Sequence, residues 1–287
     1  GVDEGGVVFV IGNPGSTSRI QTVAELEFRR DVGDKGLLEF LNRRIAALQE
    51  FYELDPVTAE RLDLRNEIFG LLNSQKSYLG QLAGLADPVI MAKKADGERQ
   101  FIEAIQANAT LASEYGGLFD RMAAVQEQKA SVAPGFGSFL ALTVPQYGSA
   151  TMTRAVAAFQ FLNASMSGAP EETLNELRDE FLAVPQQPAR LEEILLEARY
   201  DDLVANYGIE HPGVQAMLQG RSPEGAAAAI VATTVLADSA MAATALESGG
   251  IEPTDPALEM LQGMIGLLGP FQQVAGAVGA EEQEIAA

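Results

Sequence analysis

Residues Leu37, Leu38, Leu41, Ile45, Leu48, Phe51 and Tyr52 recur at spacings of three and four, which puts them on one face of a long helix. The same period returns through Leu62, Phe69, Leu72, Leu79 and Leu82, loosening around Gly80 and Gly84, and again through Ile90, Ala95, Phe101, Ile102 and Ile105. Asp55-Pro56 and Asp87-Pro88 divide these stretches. An aspartate accepts hydrogen bonds from the first free amides of a helix, and proline in the first turn sacrifices none. Further helices are expected over roughly 110–131, 151–166, 170–183, 188–207, 222–246 and 255–275. Ala-Pro-Glu-Glu at 169–172 and Ser-Pro-Glu at 222–224 place proline and acids in first turns, where the helix dipole favours them. Only the apolar run Val7–Ile11 reads as strand. The fold class expected is mainly α, a multi-helix domain with a short N-terminal β-strand. Glycines and prolines cluster in VAPGFGSF and VPQYGS, so a division into two lobes is expected near 132–150.

A chain of 287 residues, 47% of them hydrophobic, buries a sizeable core in one large domain or two ordinary ones. Its net charge of −21 comes from 40 acidic against 19 basic residues. That argues against nucleic acid, whose phosphates reward Lys and Arg, and against an anionic membrane surface. After Arg199 the one Lys or Arg is Arg221. The absence of cysteine excludes disulfides, thiolate metal sites and Cys nucleophiles. No apolar run is long enough to span a bilayer; the Ala-rich stretch from Ala226 to Leu236 is too short. No cofactor or metal is expected.

Strand, glycine-containing turn and helix is the setting of nucleotide-binding loops, and VVFVIGNPGSTSRIQT at 7–22 has that order. A phosphate loop needs G-x-x-x-x-G-K-[ST], so that glycine amides wrap the phosphates and a Lys neutralises them. Counted from Gly12, the last three required positions hold Thr17, Ser18 and Arg19, and all fail. The dinucleotide fingerprint fails because Pro14 replaces its second glycine. Gly12-Asn13-Pro14-Gly15-Ser16 echoes a Gly-Asn-Ser-Gly nucleophile loop, with proline where the serine belongs. A serine nucleophile also needs a base within reach. The one histidine, His211, stands before Pro212 in a turn, and no S-x-x-K spacing occurs. The acid pairs Glu171-Glu172, Glu192-Glu193 and Asp201-Asp202 read as solvated helix surface. No complete active site is present.

The segment Val8-Phe9-Val10-Ile11-Gly12-Asn13-Pro14-Gly15-Ser16-Thr17-Ser18-Arg19 resembles bacterial dipeptidyl-peptidases of serine peptidase family 46, where an apolar strand runs into Gly-x-Pro-Gly-x-Thr-x-Arg. Asn73, Lys76, Gly80, Gln81, Gly84 and Leu85 resemble that family's Asn-x-x-Lys-x-x-x-Gly-Gln-x-x-Gly-Leu stretch, and Lys93-Lys94, Glu98 and Phe101 fit the family's pattern just beyond it. The resemblance covers residues 7–105; from about 110 onward it is one of helical character. Asn13 stands where an aromatic residue is common, a departure that bears on substrate preference.

The resemblance implies a chymotrypsin-like double barrel with a Ser-His-Asp triad and a large helical domain inserted between the Asp and the Ser. Residues 1–20 would then be the last barrel strand before the insert and 21–287 the insert, so no catalytic residue falls on this chain, which alone would be inactive. The start at Gly1, without Met, fits an excised piece on this reading. A peptide substrate, a separate catalytic domain, export to the periplasm and a homodimeric parent are implied in the same way. Gly12, Pro14, Gly15, Thr17, Arg19, Asn73, Lys76, Gly80 and Gly84 are motif positions with structural or hinge roles. Gly33 and Gly36 are the hinge candidates at the crossing into the insert, and 134–148 is a candidate lip. The alternative is a stand-alone acidic helical binding or scaffold protein, in which Val7–Ile11 would need a strand partner within the chain.

Overall fold

A computed structural model of the chain describes residues 21–132, 138 and 148–286. The expected strand Val7–Ile11 lies outside the described residues, and among those described there is no strand. The helices are α1 (Val23–Phe28), α2 (Asp34–Leu54), α3 (Pro56–Arg61), α4 (Leu64–Ala86), α5 (Pro88–Gln106), α6 (Ala109–Tyr115) and α7 (Leu118–Ser131). Beyond 147 come α8 (Ala150–Met166), α9 (Glu171–Leu182), α10 (Ala189–Tyr207), α11 (Pro212–Leu218), α12 (Pro223–Thr233), α13 (Ser239–Ser248) and α14 (Pro256–Ala286).

The caps anticipated at Asp55 and Asp87 form, and Ser222 is a cap as well. Asp55 accepts from the Thr58 amide at 3.0 Å, Asp87 from Val89 at 2.8 Å and Ser222 from Gly225 at 3.1 Å. His211 is a cap too: its Nδ1 accepts from the Gly213 amide at 3.1 Å.

Three expected helices are interrupted. The stretch through Leu62–Leu82 breaks before α4, where Asp63 takes a left-handed φ of 58°; it then runs unbroken through Gly80 and Gly84. The stretch 110–131 breaks between α6 and α7 at Gly116-Gly117. The stretch 222–246 breaks at Thr234 because a buried side chain offers a better set of bonds. Asp255 accepts from the Thr234 hydroxyl at 2.6 Å and the Val235 amide at 3.0 Å.

Two hydrophobic cores form. One gathers Phe40, Leu41, Leu48 and Phe51 of α2 with Leu64, Ile68 and Leu71 of α4. The other joins α8 and α10–α14 through residues such as Met152, Leu203, Val214, Ile230 and Leu261. Helix α10 enters both, with Leu191, Ile194 and Leu195 in the first and Leu196, Tyr200 and Leu203 in the second. At about 100° per residue these sets lie on opposing faces of one helix.

Glu192 and Asp202, expected on the solvated surface, are 1% and 3% exposed. Between two cores, most of α10's circumference is covered, so one acid of each pair falls inside while Glu193 and Asp201 stay on the wetter strip. Glu192 accepts from the Ala150 amide at 2.9 Å and the Thr151 amide at 2.8 Å, capping α8 where the helix dipole favours an anion.

Arg154, 1% exposed, lies one turn further along α8. It donates to the carbonyls of Leu236 at 2.9 Å, Pro185 at 2.8 Å, Val184 at 3.3 Å and Ala237 at 3.4 Å. Burial pushes its pKa down, while the charges of Glu192 and Asp238 oppose that shift.

Arg154→Met should cost about 3–5 kcal/mol, since it strands buried carbonyls, measured by urea unfolding. Leu191→Ala and Leu203→Ala, both at fully buried positions, should each cost about 2–5 kcal/mol. Because α10 belongs to both cores, each variant should retain a single unfolding transition seen by circular dichroism.

Candidate functional site

The described chain starts on a clamp built by α4 and α5. Thr22 caps α1, accepting from the Glu25 amide at 3.2 Å while Glu25 accepts from the Thr22 amide at 2.7 Å. Glu98 of α5 reaches across to accept from the Val23 amide at 2.7 Å. Arg29 then pairs with Asp34 at 2.7 Å, donates to Gln21 at 2.8 Å and donates to Gln81 of α4. Two side chains from the 73–101 motif stretch, Gln81 and Glu98, therefore hold the segment that continues from residue 20.

Gly33 closes a π-turn, Arg29–Gly33, between α1 and α2. It is buried, and a Cβ there would come within 3.3 Å of the Phe28 ring. Gly36 lies half-buried in the first turn of α2. Both hinge candidates thus sit within a nearly continuous helical run. Gly12, Pro14, Gly15, Thr17 and Arg19 lie outside the described residues, as does most of 134–148.

The other motif residues of α4 have no such internal task. Asn73, Lys76, Gly80 and Gly84 come at intervals of three, four and four, hence on one face. Asn73 and Lys76 are exposed, and their side chains make no hydrogen bond or ion pair among the described residues. A Cβ on Gly80 or Gly84 would meet nothing within 4 Å. Glycine inside a helix costs about 1 kcal/mol against alanine, and no packing among the described residues asks for it here.

Helix α7 gathers α1 and the far end of α14 onto its surface. Arg121 pairs with Glu281 at 2.6 Å, and Lys129 with Glu282. Beside this junction α1, α5, α6, α7 and α14 line an apolar cavity of about 820 Å³, with Phe101, Tyr115, Phe119, Met122 and Ile285 in its walls. Phe101 and Phe119 meet edge to face at 6.0 Å. Phe101, one of the motif residues, is 58% exposed.

A charged clasp ties the described ends of the glycine- and proline-rich break to the helices. Arg44 pairs with Glu67 at 2.7 Å and donates to the Gly148 carbonyl at 3.2 Å. Arg199 pairs with Asp202 at 2.9 Å, stacks over Phe40 at 4.9 Å and donates to the Ser138 carbonyl at 3.3 Å. Arg43 also contacts Asp202. Burial raises the Asp202 pKa, and the Arg199 and Arg43 charges oppose that. The sequence carried one signal for this clasp, the i, i+3 spacing of Arg199 and Asp202 on a helix otherwise rich in Leu. Among the described residues no cluster of His, Cys, Asp or Glu is arranged to hold a metal ion, and no helix is long and apolar enough to cross a membrane.

A family model described as Peptidase S46 matches residues 1–266. The match includes the 7–105 stretch that carries the motif resemblance and extends over the helices of the second core. No curated protein matches the chain significantly.

Glu98→Ala should free the Val23 amide and cost about 1 kcal/mol. Hydrogen exchange should rise at residues 22–28 and stay unchanged in α10; Glu98→Gln, which keeps an acceptor, should recover part of the protection.

Proposed function

The chain belongs to the peptidase S46 family, and from that premise we propose that it is the helical cap domain of a dipeptidyl-peptidase-type serine exopeptidase. On this reading residues 1–20 are the last strand of the catalytic barrel and 21–287 are the insert. The triad lies outside the chain, which is inactive alone. One observation supports the reading: α1 and the C-terminal part of α14 both pack on α7. An inserted domain leaves and re-enters its host at neighbouring points, and two helices that share a surface on α7 are compatible with that.

The α4 face of Asn73, Lys76, Gly80 and Gly84 is the surface turned toward the cleft. Its glycines let another backbone approach closely, and its two polar side chains are free to meet a peptide. A cap in that position restricts the cleft to chain ends and excludes water. The Arg29–Gly33 π-turn, with Gly33 and Gly36, is the hinge through which it closes. The parent is exported to the periplasm and homodimeric on the same reading. The alternative, a stand-alone acidic scaffold, draws on the net charge alone and leaves the α4 glycines unexplained.

Fluorogenic dipeptidyl substrates test this with the whole protein that contains the chain, compared with the chain alone. Hydrolysis is expected from the whole protein only, and its absence in a folded whole protein would return the scaffold reading. Asn73→Ala in the whole protein should lower kcat/KM about tenfold or more, ~1.4 kcal/mol of transition-state stabilisation. Unchanged turnover in the Gly33→Ala and Gly36→Ala variants would remove the hinge role.

A further inference from the structure

On the far core, α10, α11, α12 and α14 enclose a second cavity of about 340 Å³. Its floor is small and apolar, with Ala226, Ile230 and Met260. Tyr200 also lines it and is 1% exposed. Its hydroxyl reaches the Met217 carbonyl at 3.5 Å, the outer limit of a hydrogen bond. A buried hydroxyl so weakly engaged has bonding capacity to offer.

Two opposite charges stand at the rim. Arg221 is the one Lys or Arg between 200 and 287, in a stretch crowded with carboxylates. It nevertheless makes no ion pair among the described residues, and donates through Nη1 to Gln219 at 2.9 Å. Glu259, exposed in the first turn of α14, lines the same cavity without pairing with it. Neither charge has an ionic partner among the described residues. Burial pushes the Tyr200 phenol up in pKa, with Arg221 opposing, so the hydroxyl remains a neutral donor at physiological pH.

We propose that this cavity binds a small zwitterion, a free amino acid or a short peptide with unblocked ends. The carboxylate takes the fork of Arg221, where two parallel N–H donors match two oxygens. The ammonium faces Glu259, and the apolar floor receives a small side chain. Tyr200 donates to the ligand's carboxylate or carbonyl. The site is separate from the α4 face and does not depend on the peptidase reading.

Calorimetric titration of the full chain with the dipeptide Ala-Ala tests it, alongside its N-acetylated and C-amidated forms. Saturable binding is expected near ~1 mM, typical of so small a ligand, with each blocked end weakening it about tenfold. Arg221→Gln should weaken Ala-Ala by a similar factor and abolish the penalty of amidation, while Glu259→Gln should abolish the penalty of acetylation. Both residues are exposed, so thermal unfolding should barely change, and the blocked ligands report on the unaltered chain in any case. No saturation by about 50 mM, indifference to blocking, or sensitivity at only one end would overturn the proposal.

Discussion

Helix α10 lies between two hydrophobic cores and is covered around most of its circumference, and the rest of the domain is arranged by what that burial demands. Leucines alone would satisfy it, yet the helix also carries Glu192, Arg199 and Asp202 into the interior. Each inward charge is answered: Glu192 by the first amides of α8, Asp202 by Arg199 and Arg43. A buried charge without such partners would cost several kcal/mol, so α8, α2 and α10 have little freedom to shift relative to one another. Arg154 extends the same logic, satisfying the carbonyls of two irregular connections that no helix supplies with donors.

The surface proposed to face the cleft is organised differently. Within one motif stretch of α4 and α5, residues divide by direction. Gln81 and Glu98 turn inward and hold the α1 segment, whereas Asn73, Lys76, Gly80 and Gly84 turn outward and fasten nothing among the described residues. Helical periodicity makes that division possible, since positions one or two apart face different ways. A stable domain maintains the inward set for its own sake. The outward set weakens the isolated helix, through two interior glycines, and makes sense as a face shaped for something that lies against it.

The acidic balance takes on local meaning in the same manner. Most carboxylates lie on wet strips or at helix starts, where they keep the surface charged and support the dipoles. At the rim of the smaller cavity Glu259, also at a helix start, lies near a cation with which it makes no ion pair. There the charge pattern reads as recognition chemistry, whereas along α10 it reads as folding chemistry, and only the surroundings distinguish the two.

Local chemistry was legible in the sequence. The caps at Asp55 and Asp87, the long periodic helix α2 and the overall helical class come from interactions between residues a few positions apart, which any neighbourhood would permit. The motif stretch from Asn73 to Phe101 also indicated a family without reference to any fold. What periodicity alone did not convey was which member of an acid pair would be buried, because Glu192 and Glu193 look alike until two cores close around one of them. The break at Thr234 was hidden for the same reason: Asp255, which ends that helix, is remote in sequence and arrives only with the packing of α14. The sequence by itself determined the helical class, most of the helix starts and the family. Tertiary structure decided which charges went inside, which glycines faced outward and where a cation stayed unpaired, because those outcomes depend on neighbours that the chain brings together only by folding.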